Sequence, residues 1–75
     1  MKVYLRIVGD TTGGTLHASK ADAVKAFEEP ARKLAKFGQQ ITAELHYVNS
    51  DGEWSDYPDF VVALDAADNA VCVTL

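Results

Sequence analysis

The most informative absence in this sequence is that of basic residues beyond position 36. All seven Lys and Arg lie at or before Lys36, whereas residues 37–75 carry seven Asp or Glu and no basic side chain. So uneven a distribution creates a field that attracts cationic partners and repels nucleic acid. Pairing between strands from the two parts of the chain would mix these charges, so the sequence leaves open whether the asymmetry survives folding.

Cysteine and long apolar runs are also scarce. The single cysteine, Cys72, excludes an intrachain disulfide framework and a multi-cysteine zinc site. No apolar run approaches the ~18 residues needed to cross a bilayer. The N-terminal segment carries charges at Lys2, Arg6 and Asp10 and has no apolar stretch of signal-peptide length. We therefore expect a cytoplasmic protein that does not act at a membrane.

Signatures of catalysis and metal binding are missing as well. Residues 9–15 lack the lysine of a phosphate-binding loop. His17 and His46 fall in separate predicted strands without metal-ligand spacing, which favours surface histidines. Residues 49–60 alternate oxygen-bearing side chains as a calcium loop does, but the glycine comes at the fourth position and Phe60 replaces the bidentate Glu. We expect no enzymatic activity, cofactor or metal.

One stretch, residues 19–38, has helical periodicity. Ser19 is placed to cap the first turn and Gly38 to end the last. Pro30 removes a backbone donor and clashes with the preceding turn, which predicts either a kink or a break into two helices. The apolar stripe continues in phase across Pro30, which favours one kinked helix. The stripe consists of Val24, Phe27, Ala31 and Leu34.

Strand-like segments flank this helix on both sides. An Asn-Ser-Asp-Gly turn at 49–52, with its glycine in the left-handed position, predicts a hairpin. We predict a single domain, 1–75, of the α+β class in the order β(β)αβββ: a two-layer sandwich with one Pro-kinked helix on one face of an antiparallel sheet of four to five strands. The other face of the sheet would be open to solvent. The predicted strands are 2–8, 15–17, 40–48, 60–64 and 70–75.

The sharpest local feature is residues 49–59 (NSDGEWSDYPD), which we call the acidic loop. It interleaves four carboxylates with the only tryptophan and a tyrosine. Carboxylates around aromatic rings offer a basic groove the negative charge and flat surfaces that a nucleic-acid strand offers. Trp54 is expected either to fold back as a lid on a small core or to contact a partner. The predicted partner-binding residues are Glu44, Asp51, Glu53, Trp54, Asp56, Tyr57, Asp59, Asp65 and Asp68.

In size, acidity and element order, and above all in the acidic stretch from Glu44 to Asp68, the chain resembles the small inhibitor proteins of phages and mobile elements, anti-CRISPR proteins in particular. The resemblance implies a non-enzymatic protein of the host cytoplasm that blocks the nucleic-acid-reading surface of a defence complex. Its partner would be a protein with a Lys/Arg-rich surface, such as a CRISPR effector complex, and the chain would not contact nucleic acid directly.

Two further hypotheses stay open. The chain could instead be a structural or assembly domain, forming a homodimer rather than a monomer through the open sheet face or the strand ending at Leu75. Alternatively, basic residues of the helix could bind nucleic acid, against which the net charge of −4 argues. The candidate patch on the open face is Tyr4, Val8, Val48 and Cys72. The basic helix residues are Lys25, Arg32, Lys33 and Lys36.

Overall fold

The computed structural model describes residues 1–9 and 13–74, and it contains one helix and five strands in the order ββαβββ. This is the predicted α+β fold and the predicted order. Residues 10–12 of the first predicted turn, and Leu75 of the last predicted strand, lie outside the described residues. The elements are β1 Lys2–Ile7, β2 Thr15–His17, α1 Lys20–Ala35, β3 Thr42–Val48, β4 Phe60–Leu64 and β5 Ala70–Thr74.

The five strands form one antiparallel sheet in the spatial order β2-β1-β3-β4-β5. The central pair, β1 and β3, is non-local and places Leu5 opposite Leu45. The chain therefore leaves β1, forms β2 and α1, and returns beside its starting strand. β2 and β5 are the two edges of the sheet.

Both ends of α1 are closed as its sequence predicts. The side chain of Ser19 accepts a hydrogen bond from the backbone N–H of Asp22 at 3.2 Å. At the other end Gly38 has φ +77°, and the backbone N–H of Gln39 donates to the carbonyl of Leu34 at 3.0 Å. This is the Schellman arrangement, in which glycine takes the left-handed position without steric cost. Within the described residues, no helix is long and apolar enough to cross a membrane.

The helix runs without interruption through Pro30, so the apolar stripe is unbroken, while the kink itself stays a prediction. Of the stripe, Phe27 and Ala31 are almost completely buried and Val24 and Leu34 are half-buried; Ala23, beside the stripe, is also buried. The helix contacts all five strands and covers one face of the sheet. Phe27 is the largest fully buried side chain, and it packs in one cluster with Val3, Leu5, Ala43, Leu45 and Val62.

The side chains of β4 alternate between the two faces of the sheet. Only Val62 is fully buried, because its neighbours along the strand, Val61 and Ala63, face away from the helix. The side chains of β5 also alternate between the two faces of the sheet. Cys72 is opposite Val62 and packs against the helix-side core, whereas Val71 and Val73 lie exposed on the other face.

Candidate binding site

The face of the sheet away from α1 is partly covered by Trp54. After the turn, the backbone of Trp54 forms an isolated antiparallel bridge with Val48 of β3. The indole ring crosses β3 and stacks on Tyr4 of β1, with ring centroids 4.6 Å apart and an interplanar angle of 5°. Trp54 is nevertheless 53% exposed. It is therefore a lid, although over the sheet face opposite the helical core, and one ring face remains available to a partner.

His46 is the cross-strand partner of Tyr4 and is only 7% exposed, so its prediction as a surface histidine is wrong. Its Nδ1–H donates to the carbonyl of Ser55 at 2.9 Å, and its ring lies 6.5 Å from that of Tyr4. The return of the chain after the hairpin buries the side chain. The sequence held one signal of this cover: Tyr4, His46 and Val48 all fall on strand faces predicted to meet solvent, yet they are large.

Gly14 makes room for the aromatic stack. A Cβ atom on Gly14 would lie 2.3 Å from the carbonyl oxygen of Leu5 and 2.6 Å from Cζ of Tyr4. Both distances are below any normal van der Waals contact, so only glycine fits without displacement. Tyr4 thus packs against the backbone of Gly14 as well as against Trp54.

A groove of about 810 Å³ runs beside this stack. Its walls are mainly apolar and include Leu16 and Val48 beside the two aromatic rings, and Lys2 is the charged residue among those that line it. The groove holds no carboxylate, so the acidic side chains adjoin it without entering it.

The turn at the tip of the acidic loop presents its carboxylates to solvent. Oδ1 of Asn49 accepts hydrogen bonds from the backbone N–H groups of Asp51 and Glu53, both at 3.0 Å, and Gly52 takes the predicted left-handed conformation at φ +81°. Asp51, Glu53 and Asp56 are exposed, and none of them forms an ion pair within the described residues. Asn49 therefore shapes the turn and leaves these three charges unneutralised.

In the second half of the loop, Tyr57 is exposed to solvent, whereas Asp59 is hydrogen-bonded to the rest of the fold. Tyr57 is 83% exposed. Asp59, in contrast, uses Oδ2 to accept hydrogen bonds from the backbone N–H of Tyr47 at 2.8 Å and from Oγ of Ser55 at 2.9 Å. Asp59 thus anchors the loop to β3, a role that its exposed-looking sequence context did not indicate.

The remaining predicted contact residues lie elsewhere. Glu44 faces Arg6 across β1 and β3 and forms an ion pair with it at 3.7 Å. Asp65 accepts hydrogen bonds from two backbone amides of the β4–β5 turn, and the carbonyl of Asp68 accepts one from Nε of Arg32 at 2.9 Å. At ~3.3 Å per residue, β4 separates this turn from the acidic loop by roughly 15 Å. The nine predicted residues therefore occupy three places rather than one.

The charge asymmetry of the sequence survives folding only in part. The sheet brings Arg6 and Glu44 together, as expected of strands from the two parts of the chain. On the outer surface of α1, four basic residues surround Glu28 and Glu29. The acidic loop keeps its unpaired carboxylates, so the basic helix surface and the acidic loop remain separate.

The predicted apolar patch on the open face is incomplete. Tyr4 lies there under Trp54, and Val48 is buried. Cys72 packs on the opposite side of the sheet, against the core, and cannot belong to the patch. Val8 is exposed, as are Val71 and Val73 at the β5 edge and Leu16 at the β2 edge.

Known proteins add no further constraint. Among residues 1–9 and 13–74, no three His, Cys, Asp or Glu side chains are grouped so that they could hold a metal ion. No protein-family model, curated protein or solved structure matches the chain. The geometry at the acidic-loop end of the sheet is therefore the basis for a functional proposal.

Proposed function

We propose that this chain is a non-enzymatic binding protein that uses its acidic loop to occupy a Lys/Arg-rich, nucleic-acid-reading surface of a partner complex, in the manner of the anti-CRISPR inhibitors it resembles. The contact residues are Asp51, Glu53, Asp56, Tyr57 and the outer face of Trp54. Glu44, Asp59, Asp65 and Asp68 support the fold or lie outside this surface.

The observation that carries the proposal is the exposure of residues 51–57 along their whole length. Three unpaired carboxylates and two aromatic rings lie within these seven positions. A partner that binds a nucleic-acid strand offers Arg and Lys for the phosphates and flat surfaces for the bases. Carboxylates and aromatic rings at this spacing meet the same requirements, and Trp and Tyr are frequent energetic centres of interfaces.

The first test compares two double variants that change the net charge equally. Asp51→Lys with Asp56→Lys reverses two charges of the loop, while Glu28→Lys with Glu29→Lys reverses two charges on the helix surface. The helix variant replaces two i,i+4 ion pairs by two like-charge pairs, which should cost about 1–2 kcal/mol in total. The loop variant changes two exposed side chains that form no ion pair within the described residues, so both proteins should fold. We expect D51K/D56K to capture no partner from a nuclease-treated host lysate, and E28K/E29K to capture it as the wild type does.

Experiments on the captured protein then test whether the chain displaces nucleic acid from its partner. Because exposed charge pairs are screened beyond ~10 Å at 0.1 M salt, capture should weaken steeply as salt is raised. The purified partner should lose its guide or target nucleic acid when the chain is added in excess. Capture by D51K/D56K at wild-type strength, or a partner that keeps its nucleic acid at saturation, would refute the proposal.

A further inference from the structure

The indole ring of Trp54 is held in a fixed orientation by the rest of the fold. The backbone of Trp54 is bridged to Val48 of β3, and the carbonyl of the next residue, Ser55, accepts a hydrogen bond from Nδ1–H of His46 at 2.9 Å. One face of the ring stacks on Tyr4 with centroids 4.6 Å apart, yet the side chain is 53% exposed. The outer face of the ring therefore meets solvent as a flat surface that cannot easily turn away.

Two kinds of chemical group bind the face of an indole ring, namely a second aromatic ring and a cation. The face of an aromatic ring carries negative potential, so a cation within ~6 Å of its centroid is attracted, most strongly by Trp. Among residues 1–9 and 13–74, Lys20 is the basic residue whose charged group lies over an aromatic ring, and that ring is Phe60, at 3.8 Å. No cation of the described chain occupies the outer face of Trp54.

The acidic loop places negative charge around this ring. Because consecutive Cα atoms are ~3.8 Å apart, the Cα atoms of Asp51, Glu53 and Asp56 lie within roughly 11 Å of that of Trp54. All three side chains are exposed, and none forms an ion pair within the described residues. Their combined field attracts a cation towards the ring and gives a neutral aromatic group no such advantage.

The basic residues on the same face of the sheet do not cancel this field. Lys2 lines the groove beside the ring and contributes one positive charge. Arg6 follows Tyr4 on the same face of β1, but it forms an ion pair with Glu44 at 3.7 Å. Three unpaired carboxylates thus stand against the single charge of Lys2, and the surroundings of Trp54 favour a cationic ligand.

We propose that the outer face of Trp54 binds the guanidinium group of an arginine side chain presented by the partner protein. A guanidinium is planar and less strongly hydrated than an ammonium group, so it can stack on an indole ring while its N–H groups donate to carboxylates. Arginines that read a nucleic-acid strand stack on its bases in the same way. The inference rests on the proposed function in taking its ligand from a partner protein, and it adds which basic side chain that partner presents.

The test compares two short peptides of equal charge on the wild-type protein. One is Gly-Arg-Gly-Arg-Gly, acetylated and amidated, and the other has lysine at both basic positions. At ~10 mM salt the Debye length is ~30 Å, so the acidic loop should attract both peptides. We expect the arginine peptide to bind about threefold more tightly or better, because only the guanidinium stacks on the ring. Nuclear magnetic resonance should show a shift of the Trp54 Nε1–H signal and contacts between arginine δ protons and the indole ring.

Two substitutions at Trp54 separate an aromatic face from apolar bulk. Trp54→Leu should bind the two peptides equally, because leucine has no π-system, whereas Trp54→Phe should keep part of the preference for arginine. Binding to both variants is followed through the backbone amides of Val48 and Glu53, since the indole signal is gone. The dispersion of the amide spectrum shows whether each variant is folded.

A pair of charge variants shows that the peptides bind at this end of the sheet. Glu53→Gln with Asp56→Asn should weaken both peptides by a similar factor and leave the preference for arginine in place. Glu28→Gln with Glu29→Gln removes the same charge from the outer surface of α1 and should change neither affinity.

Three results would overturn the guanidinium site. The first is equal affinity of the wild type for the two peptides, or no measurable binding of either. The second is a preference for arginine that survives in Trp54→Leu. The third is tighter binding of a peptide with phenylalanine at both positions, which would make a partner's aromatic ring the ligand. None of these depends on capture from a lysate, so the acidic loop can fail or succeed as a partner-binding surface independently in the comparison of D51K/D56K with E28K/E29K.

Discussion

At the scale of single residues, Gly14 is the position on which the Tyr4–Trp54 stack depends. Its missing Cβ leaves space that Tyr4 and the Leu5 carbonyl occupy. We expect Gly14→Ala to lower the free energy of unfolding by about 1–3 kcal/mol, because the added methyl group forces the ring and the backbone apart. The emission of Trp54, the only tryptophan, should shift in the folded protein, and urea unfolding followed by fluorescence measures both effects.

Gly13→Ala separates this steric effect from backbone strain. Gly13 has φ +96° and no atom within 4 Å of the added Cβ, so alanine there is strained without touching the stack. It should lose stability while keeping the wild-type emission. Native emission in Gly14→Ala would mean that Tyr4 and Trp54 do not need the space that the glycine provides.

Residue roles at this site could be predicted only where they are local. The left-handed glycines and the Ser19 cap follow from the residues beside them. The burial of His46 does not, because it depends on where the chain lies nine residues later, at Ser55. Asp59 likewise gains its anchoring role from Tyr47, on the other side of the hairpin.

At the scale of elements, the helix carries an avoidable cost at Pro30. The proline lies inside α1, where it has no N–H to donate and its ring crowds the preceding turn. We expect Pro30→Ala to raise the free energy of unfolding by about 1–2 kcal/mol: the penalty in a helix interior is ~3 kcal/mol, and part of it is offset by the greater freedom of the unfolded chain. The midpoint of urea denaturation measures the change.

A lower midpoint for Pro30→Ala would mean that the partly buried ring contributes more by packing than its missing donor costs. Alanine at the neighbouring exposed position, Glu29→Ala, is the control. It removes one weak i,i+4 pair with Lys33 and should change stability by no more than about 0.5 kcal/mol.

The positions of the helix and strands were more predictable than the pairing of the strands and the exposure of their two faces. Five strands, one helix and the antiparallel β4–β5 pair follow from apolar periodicity and turn residues. The central pairing of β1 with β3 does not, because it joins segments separated by the whole of β2 and α1. Val71 and Val73 lie exposed on the face away from the helix, and only the order of strands shows that this face ends at an open edge.

At the scale of the whole molecule, the sequence predicts less. The sequence leaves open whether the seven acidic residues after position 36 form one surface. The fold places Glu44 against Arg6 and carries the Asp65–Asp68 turn to the far end of β4. Asp51, Glu53 and Asp56 of the acidic loop form no ion pair within the described residues. The sheet topology decides which charged residues share a surface, and local sequence patterns do not contain that topology.

The last prediction concerns how stability is divided between the two faces of the sheet. A domain of this length has roughly 4–11 kcal/mol of total stability. Phe27→Ala removes the largest side chain of the helix-side core and should lower the free energy of unfolding by about 3–5 kcal/mol. Little of the protein would then be stably folded, so its cooperative unfolding transition should be weak or absent. Trp54→Ala removes a larger side chain from the opposite face, but one that is already half exposed, and should cost only about 1–3 kcal/mol.

Thermal unfolding followed by far-ultraviolet circular dichroism compares the two variants. Trp54→Ala should keep a cooperative transition and the wild-type spectrum, because the cluster of Phe27 with the strands does not involve Trp54. Equal loss of structure in both variants would mean that the Tyr4–Trp54 stack is part of a single core extending through the sheet. In that case Trp54 would be needed for folding, and binding would have to be tested by substitutions at Asp51, Glu53, Asp56 and Tyr57.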